Sequence, residues 1–228
     1  MHCIQTAIVE KRSVINDIAV TSKPDVLDIN GSWNVAFLDG RGAPSKIKMP
    51  TLKSWSLNAD SSIQYYSGRA RYNNTFTISK DQINQYKTII LDLGDIADLG
   101  EVFVNGKSAG IVWTKPYSVD ISSFVKKGNN EIDVVVANRW TNRLIGDENI
   151  PSDYEYDQSD NKFTKGRILK WPDWMYDATK RKENKRNSFT TWKHYSKNDQ
   201  LLKSGLLGPV KINCYKDVDF LSNVLQLE

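Results

Sequence analysis

Residues 91–143 read LDLGDIADLGEVFVNGKSAGIVWTKPYSVDISSFVKKGNNEIDVVVANRWTNR, and their patterning decides the fold class. Together with Ile89 just before them, Leu91 and Leu93 point to one side of a strand. Val102 and Val104 repeat the period-two alternation and run into Asn105-Gly106, the dipeptide suited to a type I′ hairpin because both positions accept positive φ. Tyr117, Val119 and Ile121 alternate again. After a Gly128-Asn129-Asn130 turn, Ile132, Val134 and Val136 give a fourth half-buried strand. Four strands in so short a span predict an antiparallel β domain.

Outward from this stretch, Trp33, Val35 and Phe37 share one face of a strand over 29–37. Residues 39–50 read as loop from their Gly, Arg and Pro content. Ala70, Tyr72, Phe76 and Ile78 keep even spacing on a long strand drawn from 63 to 78, with a break expected near Asn73-Asn74. Residues 80–86 suit a linker or one helical turn. Residues 122–127 suit another, capped by Ser122 or Ser123 and stopped at Gly128. From Ile145 to Lys170 the chain is polar and aperiodic, the start of a long excursion that runs to the last strand over 208–215, where Val210, Ile212 and Cys214 alternate.

A chain of 228 residues fits one large β-sandwich with appendages: a tail or linker over 1–26, the sandwich over 27–216 and a C-terminal tail over 217–228. The net charge of +4 is too small to argue for nucleic acid, and the run Lys180, Arg181, Lys182, Lys185, Arg186 reads as a solvated loop. Cys3 and Cys214 have no spacing that suggests a disulfide framework or a zinc site. Residues 1–16 lack the apolar core of a secretion signal, and no apolar run is long enough to span a membrane, so no membrane partner is expected.

Three constellations could carry chemistry. Asp153, Glu155 and Asp157 have the spacing that starts a calcium loop, but Gln158 stands where a glycine is needed and Thr164 where a bidentate Glu belongs. No cofactor is expected, with room left for a structural calcium of another type. Asp147, Glu148, Asp153 and Glu155 supply carboxylates for glycoside hydrolysis, yet sequence neighbours on a loop have no fixed separation, and solubilising charge is the simpler reading. The third set is Trp113, Tyr117, Trp140, Arg143, Trp171, Trp174, Trp192 and His194. A sugar packs its C–H face on a flat ring and takes hydrogen bonds at its hydroxyls, which suits this mixture of rings and donors. The candidate carbohydrate-binding residues are Trp113, Tyr117, Trp140, Arg143 and Asp147.

The run over 102–138, preceded by LDLGDI and closed by SGLLGPVKI, resembles the sugar-binding jelly-roll domain of family 2 glycoside hydrolases. More narrowly, GSWNVAF, YYSGRARYNNTF, NRWTNRLIGDE, WPDW, FTTWKHY and SGLLGPV, in this order, resemble the C-terminal region of the α-L-rhamnosidases of glycoside hydrolase family 106. The resemblance implies an all-β, galactose-binding-like antiparallel sandwich that accompanies a catalytic barrel absent from this chain. It also implies a periplasmic or secreted full-length protein. Catalytic carboxylates and any associated calcium would lie on the barrel, so no residue here inherits a catalytic role. Where the family 2 relatives carry an Asp in the loop after the hairpin, this chain has Trp113 and Thr114, which favours stacking over a polar contact. The alternatives are an interaction module packed on the barrel and a self-sufficient hydrolase.

Overall fold

The computed structural model describes residues 23–27, 29, 31–180 and 186–216. Residues 1–22 and 217–228 of the expected tails, with Cys3, and Arg181, Lys182 and Lys185 of the basic run, lie outside the described residues, whereas Asp25 and Val26 of the expected N-terminal tail are strand residues paired with Cys214 and Asn213. Among the described residues, fourteen strands and three short α-helices follow in order: β1 (Asp25–Leu27), β2 (Trp33–Phe37), β3 (Lys46–Met49), α1 (Ser61–Gln64), β4 (Arg69–Ile78), α2 (Lys80–Gln85), β5 (Thr88–Asp92), β6 (Asp95–Ala97), β7 (Leu99–Val104), β8 (Lys107–Val112), β9 (Ser118–Asp120), β10 (Gly128–Ala137), α3 (Thr141–Asp147), β11 (Glu155–Tyr156), β12 (Ile168–Lys170), β13 (Gly205–Gly208) and β14 (Lys211–Tyr215).

Two antiparallel sheets make the sandwich. The larger runs β3-β2-β4-β10-β7-β8 and the smaller β1-β14-β5-β9, while β13-β6 and β11-β12 form separate pairs. Their apolar faces join in one cluster, with Tyr72, Phe76, Val102, Ile132 and Val134 from the larger sheet and Leu91, Val119 and Ile212 from the smaller. The chain is therefore an all-β antiparallel sandwich, as the alternating patterns predict. Asn105 (φ 50°) and Gly106 (φ 77°) both occupy the left-handed region and turn β7 into β8.

Several local readings change. The 39–50 loop contains β3, which pairs with β2 from Trp33–Met49 to Ala36–Lys46 and seals that edge. The long strand starts at Arg69 rather than Ile63, since Ile63 lies in α1, and it is unbroken at Asn73-Asn74. All ten of its residues are in register with β10, and Asn73 Nδ2 donates to Glu131 Oε1 (2.7 Å) and Asp133 Oδ1 (3.1 Å) across the pair. Gly128-Asn129-Asn130 is already strand, opposite Ile78, Thr77 and Phe76. Residues 122–127 form no helix; the buried Asn130 side chain ties them down instead, accepting from Lys126 N (2.8 Å) and donating to Lys126 O (2.7 Å). By contrast, α2 does form, capped reciprocally by Ser79 and Gln82.

The excursion carries structure of its own. It opens with α3, which the aperiodic sequence hides, and continues through β11 and β12 to a bridge between Arg167 and Trp192. Tyr154, Tyr156, Trp171, Trp174 and Phe189 form a satellite aromatic cluster, with ring centroids 5.1–5.8 Å apart in successive pairs. Arg186, expected in a solvated loop, is only 3% exposed. Its guanidinium lies over the Tyr154 ring, 4.6 Å from the centroid, and reaches back to the end of α3.

Candidate functional site

The five predicted residues divide among different places. Trp113 follows β8, and Tyr117 precedes β9 across Lys115-Pro116. Trp113 is 69% exposed and Tyr117 half-buried. Both line a cleft of about 600 Å³ with Asp95, Asp98, Leu99 and Arg139. Arg139 and Asp98 pair at 2.9 Å (Nη2 to Oδ1), and the Arg139 amide donates to Asp98 Oδ2 at 3.1 Å. The cleft thus sets aromatic faces beside a solvent-exposed ion pair and carboxylate acceptors, a combination that suits a saccharide. Sequence reading misses Asp98 and Arg139, which lie 41 residues apart and meet because β7 pairs with the end of β10.

Trp140 and Arg143 belong to a second region. Trp140 is 43% exposed and carries the Arg41 guanidinium at 4.5 Å over its ring. Arg143 is 8% exposed and, with Arg41 and Tyr65, lines a cleft of about 770 Å³ between α1, α3 and the 40–42 turn. Burial lowers the Arg143 pKa, and the facing Asp147 charge opposes that shift.

Asp147, expected to touch sugar, lies in neither cleft. Its side chain is fully buried one helical turn beyond Arg143, with Oδ1 3.2 Å from Arg143 Nε. Oδ2 accepts from the amides of Asn187 (2.9 Å) and Ser188 (2.7 Å) and from Ser188 Oγ (3.0 Å). Arg143 and Asp147 stand at i,i+4 on α3, the spacing that brings opposite charges together on one helix face. The carboxylate therefore anchors the excursion and orients the Arg143 side chain.

Glu148, Asp153 and Asp157 of the excursion are likewise engaged. Glu148 Oε1 accepts from Arg186 Nη2 (2.6 Å) and from Tyr154 OH (3.1 Å). Asp153 Oδ2 accepts from Trp174 Nε1 (2.8 Å). The Asp157 carboxyl is lowered to about 2 by hydrogen bonds from Thr164 and Ser159. No group of three or more His, Cys, Asp or Glu that could hold a metal exists among the described residues, so Asp153, Glu155 and Asp157 do not converge on one ion. Trp171 and Trp174 pack edge-on to Phe189.

Gly146 sits where α3 touches α1. A Cβ there would lie 2.4 Å from Tyr65 Cγ and 2.8 Å from Arg143 Nη2. Gly146→Ala is expected to lower stability by roughly 1–3 kcal/mol, because overpacking outweighs the helix propensity gained. Urea unfolding monitored by tryptophan fluorescence measures it.

The described residues thus form an all-β sandwich whose Trp113 edge stands beside the Asp98–Arg139 ion pair. The chain belongs to the family described as glycosyl hydrolases family 2, sugar binding domain, whose profile matches residues 25–163. Among curated proteins it is 43% identical over 195 residues to a putative beta-glucuronidase of Formosa agariphila, a match covering 85% of this chain and 16% of that protein. Among solved structures, the rhamnosidase from Novosphingobium sp. PP1Y aligns with a TM-score of 0.63 and 28% identity, over 93% of this chain and 16% of that one. The chain thus spans about a sixth of the length of these relatives.

Proposed function

We propose that the chain is the non-catalytic glycan-binding accessory domain of an α-L-rhamnosidase of the family 106 kind, working beside a catalytic barrel in polysaccharide breakdown in the periplasm or outside the cell. The observation that carries the binding half is the Trp113–Tyr117 edge, where the exposed Trp113 ring and the half-buried Tyr117 ring share a cleft with the Asp98–Arg139 pair. The family 106 half is supported by the ordered motifs from GSWNVAF to SGLLGPV and by the 28% identity to a rhamnosidase across nearly the whole chain. Catalysis falls to the barrel in this reading, since Asp147 is buried and Glu148 is tied to Arg186.

Trp113→Ala is expected to weaken glycan binding about tenfold, a loss of roughly 1–1.5 kcal/mol of stacking. Array screening followed by calorimetry on the best rhamnose-containing ligand measures it, and unchanged affinity would move the site elsewhere. A second reading is favoured by the apolar character of the same edge: Ile111 is 60%, Trp113 69% and Leu99 39% exposed. On that reading the edge packs against the barrel, and the isolated chain self-associates through it. A monomer by light scattering at high concentration speaks against this second reading.

A further inference from the structure

The second cleft has a different chemistry from the Trp113 edge, and it is built rather than incidental. Arg143 is more than nine-tenths buried, yet it lines the cavity; its Nε faces Asp147, and its Nη groups donate no hydrogen bond to the described residues. Asp147 cannot turn away, because three donors from Asn187 and Ser188 hold its other oxygen. The Tyr65 ring packs against Gly146 and closes the other side. The guanidinium is therefore fixed before any ligand arrives.

Arg41 brings a second guanidinium to the same cavity. It sits in a Gly40-Arg41-Gly42 turn with φ 55°, donates from Nη1 to Ser67 O at 2.5 Å, and stacks over Trp140. The nearby carboxylates are already engaged: Asp39 is held by Arg69 Nη2 at 2.9 Å and by the Arg69 amide, and Asp60 caps α1 through Ser62. Among the lining residues no acid faces the two arginines, while Ser61, Ser62 and Asn149 offer neutral donors and acceptors. Two guanidinium groups, the Arg143 one partly offset by Asp147 behind it and the cleft lining otherwise neutral, match a carboxylate or sulfate on a ring that carries hydroxyls.

We infer that this cleft is a subsite for a saccharide bearing an anionic substituent, a carboxylate or a sulfate, recognised jointly by Arg41 and Arg143. The inference rests on the carbohydrate-binding reading and adds a ligand class at a place distinct from the Trp113 edge. Charge and ring recognition are both needed, so the free anion alone binds weakly. Between the two anions the guanidinium fork has no intrinsic bias, and the sugar that carries the anion decides.

The test is calorimetric titration of the complete chain with methyl β-D-glucuronide, D-glucose 6-sulfate, methyl β-D-glucoside and inorganic sulfate, repeated for Arg41→Gln. At least one anionic sugar is expected to bind about tenfold or more tightly than the neutral glucoside, and Arg41→Gln should remove most of that preference. Raising the salt from 0.05 to 0.5 M should weaken the anionic sugar selectively. The two anionic arms tell carboxylate from sulfate. Arg143→Met, checked for folding by circular dichroism, should do the same; if it unfolds, Arg41→Gln alone decides. Equal affinity for acidic and neutral sugars, a preference that survives Arg41→Gln, or inorganic sulfate binding as tightly as the sugars would overturn the inference. A neutral rhamnose-containing oligosaccharide that binds at Trp113 without any anionic preference would leave the proposed function standing and remove only this subsite. No binding of any saccharide would remove both.

Discussion

Replacing Arg186 with Met is expected to cost about 3–5 kcal/mol, the range for breaking a buried, hydrogen-bonded ion pair from one side. Arg186 joins segments more than thirty residues apart. Its Nη1 donates to Asp147 O (2.6 Å) and Ile150 O (2.9 Å), Nη2 to Glu148 Oε1 (2.6 Å) and to Tyr154 OH, and Nε to Ser188 O (3.1 Å). Met fills part of the volume but satisfies none of these acceptors, and it leaves Glu148, whose side chain is 22% exposed, without its cation. Against a typical total of about 5–15 kcal/mol, such a loss opens the excursion before the sandwich. Hydrogen exchange should therefore show amides over 148–180 and 186–192 losing protection, while those of β4 and β10 keep theirs. Arg186→Lys keeps the charge without the fork and should recover only part of the loss. Uniform loss of protection across both regions would mean that the excursion is integral to the sandwich.

Trp55→Ala carries the second large effect, about 3–5 kcal/mol and global rather than local. Trp55 is fully buried, edge-on to Phe37 and Tyr66 at 5.7 and 5.5 Å and stacked on Tyr72 at 6.4 Å. Its Nε1 donates to Tyr72 OH at 2.6 Å, and the same oxygen accepts from Leu206 N at 3.1 Å. Truncation leaves a cavity at the junction of β2, β4 and β13 and frees one side of the Tyr72 hydroxyl. The neighbouring Gly205 shows how tight this junction is: with φ +92°, an added Cβ would stand 2.5 Å from Tyr72 OH and 2.7 Å from Trp55 Nε1. Chemical denaturation followed by far-UV circular dichroism should give one transition with a lowered midpoint. A shift smaller than about 1 kcal/mol would show that the ring cluster repacks around the void.

These two side chains also mark where sequence reading stops. Period-two alternation exposes β2, β4, β7, β10 and β14, and Asn105-Gly106 exposes the hairpin, because each signal is local. Trp55 gives no such signal: it stands outside any alternating run, and its amide is bonded to the carbonyl of Ser204, far along the chain. Arg186 is worse disguised, since its neighbours Lys180 to Lys185 make a charge run that normally faces water. The loop position of Trp113 and Tyr117 is legible because it follows from the strands on either side. Asp147 misleads because an acidic residue after an aromatic and basic cluster reads as an exposed ligand, whereas three donors from 187–188 draw it inward. Arg41 is hidden in a glycine-flanked turn whose position depends on contacts with Ser67 and Trp140.

Under the proposed function, this family 2 type sugar-binding sandwich holds glycan at the Trp113–Tyr117 edge. Titration of the isotopically labelled chain with a rhamnose-containing oligosaccharide, followed by two-dimensional NMR, tests it most directly. The predicted result is a saturable shift of the Trp113 indole and of the amides over 95–99 and 113–117, abolished by Trp113→Ala while the remaining spectrum is unchanged. Shifts confined to other surfaces, or an unperturbed spectrum at saturating sugar, would contradict it.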